Sequence, residues 1–314
     1  MELIRGLNNL RTRHRDCVLS IGNYDGVHFG HQAVVRQLLH KADDLAMPAM
    51  VLTFEPHPQE FFAGPSAPRR LSSLRDKLVV LGALGVHRVL CLRFGRQLAQ
   101  MRARDFVVQI LVEGLGVRHL VVGDDFRFGR RREGDFDFLV EQGGRQGFTV
   151  ARTATYEVDG ARVSSTRVRG ALARADFAAA AALLGRPYQI SGRVIRGDQR
   201  GRVWGFPTAN LNIKRGTPPV SGTFAVSVAG VRERPVYGVA NVGTRPTVGG
   251  TRTLLEVHLL DFQDDIYGRR IGVEFLTKLR DERRFDSLDA LREQIAKDKE
   301  RTEVFVARHH AESA

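Results

Sequence analysis

Apolar positions follow one rhythm up to about residue 186 and another after it. In the first stretch, short unbroken apolar runs alternate with segments that repeat roughly every 3.6 residues. Cys17-Val18-Leu19-Ser20-Ile21, Met50-Val51-Leu52-Thr53-Phe54, Arg88-Val89-Leu90-Cys91-Leu92 and His119-Leu120-Val121-Val122 read as buried strands. Between the first two, residues 31–46 line up Val34, Val35, Leu38, Leu39, Ala42 and Leu45 on one helical face, and 75–84 and 103–115 are helical as well. Strands without a polar face, each followed by a helix, predict a doubly wound α/β domain on a parallel sheet. Ligands of such domains bind beyond the carboxyl ends of the strands. A last helix over 171–184 is closed by Gly185 and Pro187.

Beyond that stop the period is two. Residues 189–195, 223–228, 236–242, 254–260 and 272–275 read as strands. Gly216-Thr217-Pro218-Pro219, Gly230, Gly249-Gly250 and Gly268 supply the turns. Short strands packed so densely predict a small antiparallel barrel or sandwich. A helix over 287–307, with Ser287 as N-cap, ends the chain. The expected domains are therefore 1–186, Rossmann-like, and 187–314, a β-barrel with a C-terminal helix.

Composition agrees with two cores. At 314 residues and 43% hydrophobic, the chain is too long for one ordinary domain and too apolar to be disordered. Its long apolar run Phe177–Leu184 falls well short of the roughly 18–20 residues of a membrane span. Met1-Glu2-Leu3-Ile4-Arg5 lacks the layout of a signal peptide. Two cysteines, Cys17 and Cys91, suit neither a disulfide framework nor a structural zinc site. The expectation is a reduced, soluble, cytoplasmic protein with no membrane partner. Charge complicates this picture: 48 basic residues face 35 acidic ones, and only six of the 48 are Lys. Arginine is the better planar partner for phosphate, so nucleic acid and small phosphorylated ligands compete to explain the excess.

The chemistry-bearing residues favour the second. Gly22-Asn23-Tyr24-Asp25-Gly26-Val27-His28-Phe29-Gly30-His31 closes the first strand and opens the first helix. Such a junction turns backbone N–H groups and the positive helix end toward an anion. Gly30 permits close approach of a phosphate, with His28 and His31 as flanking donors. Read alone, HxGH is also a glycine turn with two surface histidines; a metal site would need a third ligand at suitable spacing, which is missing. Far along the chain, Val163-Ser164-Ser165-Thr166-Arg167-Val168-Arg169-Gly170 offers hydroxyls and guanidiniums ahead of a helix. On its own that cluster is equally a solvated face.

Taken together, HxGH and the SSTxxR-type loop resemble the nucleotidyltransferase superfamily that includes class I aminoacyl-tRNA synthetases. The run GNYDGVHFGHQ, then Thr53-Phe54-Glu55-Pro56-His57-Pro58, then Gly123-Asp124-Asp125-Phe126-Arg127-Phe128-Gly129, narrows this resemblance. It is similar to the FMN adenylyltransferase module of bacterial bifunctional riboflavin kinase/FAD synthetases, with Tyr24 where that family usually has Phe. The resemblance implies attack of the FMN phosphate on the α-phosphorus of ATP with release of pyrophosphate. It assigns Gly22, Asn23, Asp25, Gly30, Ser164, Ser165, Thr166 and Arg169 to ATP. His28 and His31 would stabilise the triphosphate, and Asp125, Phe126, Arg127 and Phe128 would lie near the flavin.

The second half carries Gly205-Phe206-Pro207-Thr208-Ala209-Asn210-Leu211, preceded by Gly197, Gly201 and Arg202. Thr208 and Asn210 offer oxygens to a hard cation; the plain alternative is a polar turn around Pro207. In Leu255-Glu256-Val257-His258-Leu259, period two sets Glu256 and His258 on the face opposite the three apolar residues. A strand glutamate commonly just faces solvent. With Val239-Ala240-Asn241-Val242-Gly243-Thr244-Arg245-Pro246-Thr247-Val248 these pieces resemble the riboflavin kinase barrel. The resemblance implies that Thr208 and Asn210 hold Mg²⁺ and ATP phosphates, that Gly201 and Arg202 touch the nucleotide, and that Glu256 is the general base on the ribityl hydroxyl. It sets Arg284 and Phe285 near the isoalloxazine. Gly222-Thr223-Phe224-Ala225-Val226 departs from it, since the family often has Val-Tyr there.

The implied protein is a bifunctional transferase using ATP and Mg²⁺ to turn riboflavin into FMN and FMN into FAD. Its partners are small molecules and not nucleic acid; homo-oligomerisation stays open. Two other readings compete: a related adenylyltransferase with an appended binding domain, and an Arg-rich RNA-binding protein. PTAN together with Glu256 speaks against the first. The second predicts a continuous basic face and steep salt dependence.

Overall fold

The computed structural model describes residues 1–197, 206–213, 217–247, 250–283 and 285–313. The chain divides into two compact units. The first comprises Met1–Pro68 and Leu74–Ser165; the second takes Arg69–Ser73 and the chain from Thr166 onward.

The first unit is built on six parallel strands: β1 (Glu2–Arg5), β2 (Val18–Ile21), β3 (Ala49–Glu55), β4 (Arg88–Arg93), β5 (His119–Gly123) and β6 (Thr149–Thr153), in the order β1-β4-β3-β2-β5-β6. The strand direction of growth reverses at β2, which pairs with β3 on one side and β5 on the other. Alternate residues of the central strands feed two cores. Leu19, Ile21, Met50, Leu52, Leu90 and Leu120 face one side, against Phe106, Ile110 and Leu111. Val18, Ala49, Val51, Val89 and Val121 face the other, where helix α1 (Phe29–Asp44) contributes Val34, Val35 and Leu38. This double burial explains why those strands read as unbroken apolar runs. Short α2 (Pro58–Ala63), then α3 (Leu74–Ala83) and α4 (Arg96–Gln100), lie around β4 in the chain. The next helix, α5, starts at Ala103–Asp105 and continues through Phe106–Gly114 with π-type spacing. After β5 come α6 (Phe136–Gln146), β6 and a two-residue hairpin, β7 (Glu157–Val158) with β8 (Ala161–Arg162).

The helix expected over 171–184 is two helices, α7 (Ser165–Ala173) and α8 (Phe177–Leu184). Ala175 at φ 56 breaks the ladder between them, and the Asp176 carboxylate restarts it by accepting from Ala179 N at 2.9 Å. Ser165, Thr166 and Arg169 thus stand on the first turns of α7 instead of in a loop ahead of a helix.

In the second unit β9 (Gln189–Ile195), β10 (Ala209–Asn212), β11 (Gly222–Ala229), β12 (Val236–Thr247), β13 (Gly250–Leu259) and β14 (Arg270–Arg280) close an antiparallel barrel in the order β10-β13-β12-β11-β14-β9. Leu211, Phe224, Ala240, Val242, Leu255 and Val257 are buried on one face of their strands. On the opposite face, Ala225, Val239 and Leu279 are covered by Phe305 of the last helix, α9 (Leu288–Ser313). Asp298 of α9 is 1% exposed and takes the Arg280 guanidinium at 2.9 Å, while Arg301 caps the Leu279 carbonyl at 2.8 Å. Charge-assisted bonds to β14 therefore fix the helix in register.

Candidate active sites

Past the carboxyl end of β2 the chain makes a turn that L-residues rarely adopt: Tyr24, Gly26 and Val27 all have positive φ, at 49°, 82° and 43°. Buried contacts hold it there. Tyr24 is 2% exposed and its hydroxyl donates to Ser20 Oγ at 2.7 Å, so the extra oxygen of a tyrosine at this position has its partner within the core. The turn delivers His28 as N-cap of α1, where it accepts from His31 N at 3.4 Å. The two imidazoles stack, centroids 3.7 Å apart and planes 18° apart.

His31 Nδ1 is buried without a hydrogen-bond partner. Burial, followed by the neighbouring His28, Lys77 and His57, holds this imidazole well below its usual range. A neutral ring with an unmet buried nitrogen is suited to an incoming polar ligand, and an anion would oppose the depression. At Gly30 space is tight: a Cβ there would stand 3.2 Å from the His28 ring and 3.3 Å from the Val163 carbonyl. At Gly22 a Cβ would meet the Tyr24 ring at 3.1 Å. Asp25 is 3% exposed, and Ser165 Oγ donates to its carbonyl at 3.0 Å. This brings the SST segment's Ser165 to the GNYDG turn. Ser164 is half-buried beside it in sequence. Thr166 is exposed, and Arg169 donates through Nε to the Arg69 carbonyl at 2.6 Å, both within the second unit.

Beyond β5, Asp125 is exposed and pairs with Arg162 at 3.0 Å; the same guanidinium reaches Asp124 at 2.9 Å. The Thr155 hydroxyl, then Arg162, holds the Asp124 carboxyl below the ordinary carboxylate range. Arg127 is paired with Asp135 at 2.7 Å. Phe126 stacks on Phe128, and Phe128 is buried against Phe106, within the core.

On the barrel, strand register assembles a polar row. Asn210 lies opposite Glu256, Glu256 opposite Asn241, Asn241 opposite Thr223, and Thr223 opposite Arg280. Directly opposed Cβ atoms are about 4.5–5.5 Å apart. These residues occupy the face opposite the apolar interior: Leu255 and Val257, flanking Glu256, are fully buried, whereas Glu256 is half-exposed. Thr223 Oγ1 bonds Asn241 Oδ1 at 3.4 Å. Thr208 and Asn210 line a cavity of about 390 Å³ together with Val257, Asp264 and Asp265. Asn210 Nδ2 donates to the Thr208 carbonyl at 3.3 Å, and a Cβ at Gly197 would fall 2.6 Å from that amide nitrogen and displace it. With Nδ2 engaged there, the amide oxygen is the Asn210 atom that could meet a cation. A hydroxyl and an amide oxygen are hard donors of the kind Mg²⁺ accepts alongside substrate phosphates. Among the described residues no three His, Cys, Asp or Glu group as a metal cage. Phe285 lies under the Arg283 guanidinium, 4.6 Å from its ring centroid. Gly201, Arg202 and Arg284 lie outside the described residues.

Residues 10–167 match the FAD synthetase family and residues 184–306 the riboflavin kinase family. Over 299 residues the chain is 53% identical to the bifunctional riboflavin kinase/FMN adenylyltransferase of Pseudomonas fluorescens, covering 95% of this chain and 96% of that protein. The chain belongs to the bifunctional riboflavin kinase/FMN adenylyltransferase family. Its relatives of that name include the Escherichia coli K12 protein, 52% identical over the same share of both chains, and that of Haemophilus influenzae, 47% identical over 97% of this chain and 99% of the relative. A crystal structure described as a macrolide-efflux protein from Streptococcus pneumoniae matches with a TM-score of 0.78 at 29% identity, covering 96% of this chain and 99% of that one. Among the described residues of the present chain no helix is long and apolar enough to cross a membrane.

As a riboflavin kinase/FMN adenylyltransferase, the chain is a double transferase, with the FAD synthetase module ahead of the riboflavin kinase module. Two residues near its sites were given no role by the sequence. Lys77, 1% exposed, sits under the Asn23 carbonyl. Asn241 stands across from Glu256. Lys77 had a signal in the sequence: it precedes the buried Leu81 by four residues, which sets a cation on the buried face of α3.

Proposed function

We propose that residues 187–314 phosphorylate riboflavin to FMN with ATP and that residues 1–186 adenylylate FMN to FAD, both in the cytoplasm. The observation that carries this is one reacting set per unit: stacked His28 and His31 in the first, and Glu256 in register with Asn210 in the second.

In the kinase step Glu256 orients the ribityl hydroxyl and accepts its proton as the oxygen bonds the γ-phosphorus and the β–γ bridging P–O bond breaks. Thr208 and Asn210 would hold Mg²⁺, which would supply charge neutralisation to the phosphates. Gly201 and Arg202 are assigned to the same nucleotide, and Arg284 and Phe285 to the flavin, by motif alone. In the adenylylation step an FMN phosphate oxygen bonds the α-phosphorus of ATP, and the α–β bridging bond breaks to release pyrophosphate. This transfer asks the protein for position and charge stabilisation only. His28 and His31 meet the triphosphate; Gly22, Asn23, Asp25 and Gly30 shape its site. Ser164, Ser165, Thr166 and Arg169 are assigned to the leaving pyrophosphate, and Asp125, Phe126, Arg127 and Phe128 to the neighbourhood of FMN, from the motifs.

The test is direct. Purified chain with riboflavin, ATP and Mg²⁺ should yield FMN first and FAD after it, with one pyrophosphate per FAD; formation of neither flavin would sink the reading. Chelating Mg²⁺ should stop the sequence. Gly30→Ala should lower the rate of FAD formation about tenfold, because its methyl group presses on His28. Riboflavin phosphorylation by the same variant should be unchanged, which a coupled assay for ADP release would read.

A further inference from the structure

Beneath the GNYDG turn, and outside every motif assigned above, lies a buried cation. Lys77 of α3 is 1% exposed. Its Nζ donates to the Asn23 carbonyl, stands 3.3 Å from Thr53 Oγ1, and reaches His57 Nε2 at 3.2 Å. Thr53 Oγ1 in turn donates to the same Asn23 carbonyl at 3.3 Å. One ammonium therefore joins two separate pieces of chain: the turn after β2, and the run from Thr53 near the end of β3 to His57 just beyond it.

The place of this hub matters more than its bond count. The turn it holds has three positive-φ residues directly after Asn23, a conformation that persists only where its surroundings over-determine it. Anchored at the Asn23 carbonyl on one side, the turn ends at the His28 N-cap on the other. Burial is the main cause that depresses protonation of His31, and the ammonium adds to it after His28 and ahead of His57.

We infer that Lys77 is a positioning residue of the adenylyltransferase site, fixing from below the turn that presents His28 and His31 to the triphosphate. This rests on the assignment of FMN adenylylation to the first unit. Lys77 lies beneath the turn and is given no contact with substrate; its effect passes through Asn23, His57 and the electrostatics of His31.

Lys77→Met keeps the length and the apolar stem and removes the cation. FAD formation from FMN and ATP should lose about tenfold or more in kcat, with ATP KM changed less than kcat. Riboflavin phosphorylation by the same preparation should stay within about twofold of the unsubstituted chain. The imidazole signal of His31, followed by NMR across pH, should titrate at higher pH in Lys77→Met than in the unsubstituted chain. A purely packing role would leave that titration in place. FAD formation within about twofold of normal, or an unmoved His31 titration, overturns the inference. If Lys77→Met fails to fold, Lys77→Arg decides: partial recovery of FAD formation upholds the role and none overturns it. An unsubstituted chain that makes no FAD would instead refute the adenylyltransferase assignment itself.

Discussion

Glu256→Gln should abolish FMN formation and leave FAD formation from supplied FMN untouched. The substitution exchanges one oxygen for an NH₂ at constant shape on the half-exposed face of β13, while Leu255 and Val257 keep the barrel interior filled. Stability should therefore hardly change. On the role proposed for Glu256, what is lost is the proton acceptor for the ribityl hydroxyl, worth about 10²–10⁴ in rate. The expected signature is a collapse of kcat for riboflavin phosphorylation with little change in ATP KM, because Thr208 and Asn210, the residues proposed for the nucleotide, are intact. Full kinase activity in this variant would remove Glu256 from the chemistry.

The mirror experiment is His28→Ala combined with His31→Ala. Adenylylation develops charge on the α-phosphoryl oxygens and on the departing pyrophosphate, and both imidazoles stand at the helix start where such charge would sit. Removing one well-placed donor of this kind costs about 10²–10³ in kcat, so the double variant should make no measurable FAD while riboflavin phosphorylation continues. Some of the loss will be structural. His28 caps α1 through the bond from His31 N, and an alanine N-cap costs about 1 kcal/mol. Comparing the single variants separates the two: His31→Ala leaves residue 28 in place, so it should lose catalysis with less loss of thermal stability than His28→Ala.

How much of this was visible in the sequence varies with burial. The four central strands of the first unit read correctly because both their faces are covered, whereas the edge strands Glu2–Arg5 and Thr149–Thr153 were missed. Thr149–Thr153 has one poorly buried face and polar residues at most positions, so no apolar run betrays it. Strand Ala209–Asn212 escaped for another reason: at four residues directly after Pro207, it looks like a continuation of a turn. The alternation around Glu256 was legible to the residue. Its partnership with Asn210 and Asn241 was not, since register depends on turns that no local pattern specifies. The break at Ala175 hid in an alanine-rich stretch whose composition favours continuous helix.

The allocation of Arg69–Ser73 to the second unit has a bearing on how such a chain can change over time. The polypeptide leaves the first unit after Pro68, returns at Leu74 and leaves again after Ser165. A gene with one junction between two modules can exchange either by a single recombination event. Here one crossover cannot transfer either unit whole, because a five-residue piece of the second is encoded inside the first. In that piece Arg69 accepts from Arg169 through its carbonyl and reaches the Pro218 carbonyl with its guanidinium at 3.5 Å. A hybrid made by one crossover between the units would thus take residues 69–73 from one parent and their partners Arg169 and Pro218 from the other, so the contact through the Arg69 guanidinium would depend on which parents are joined.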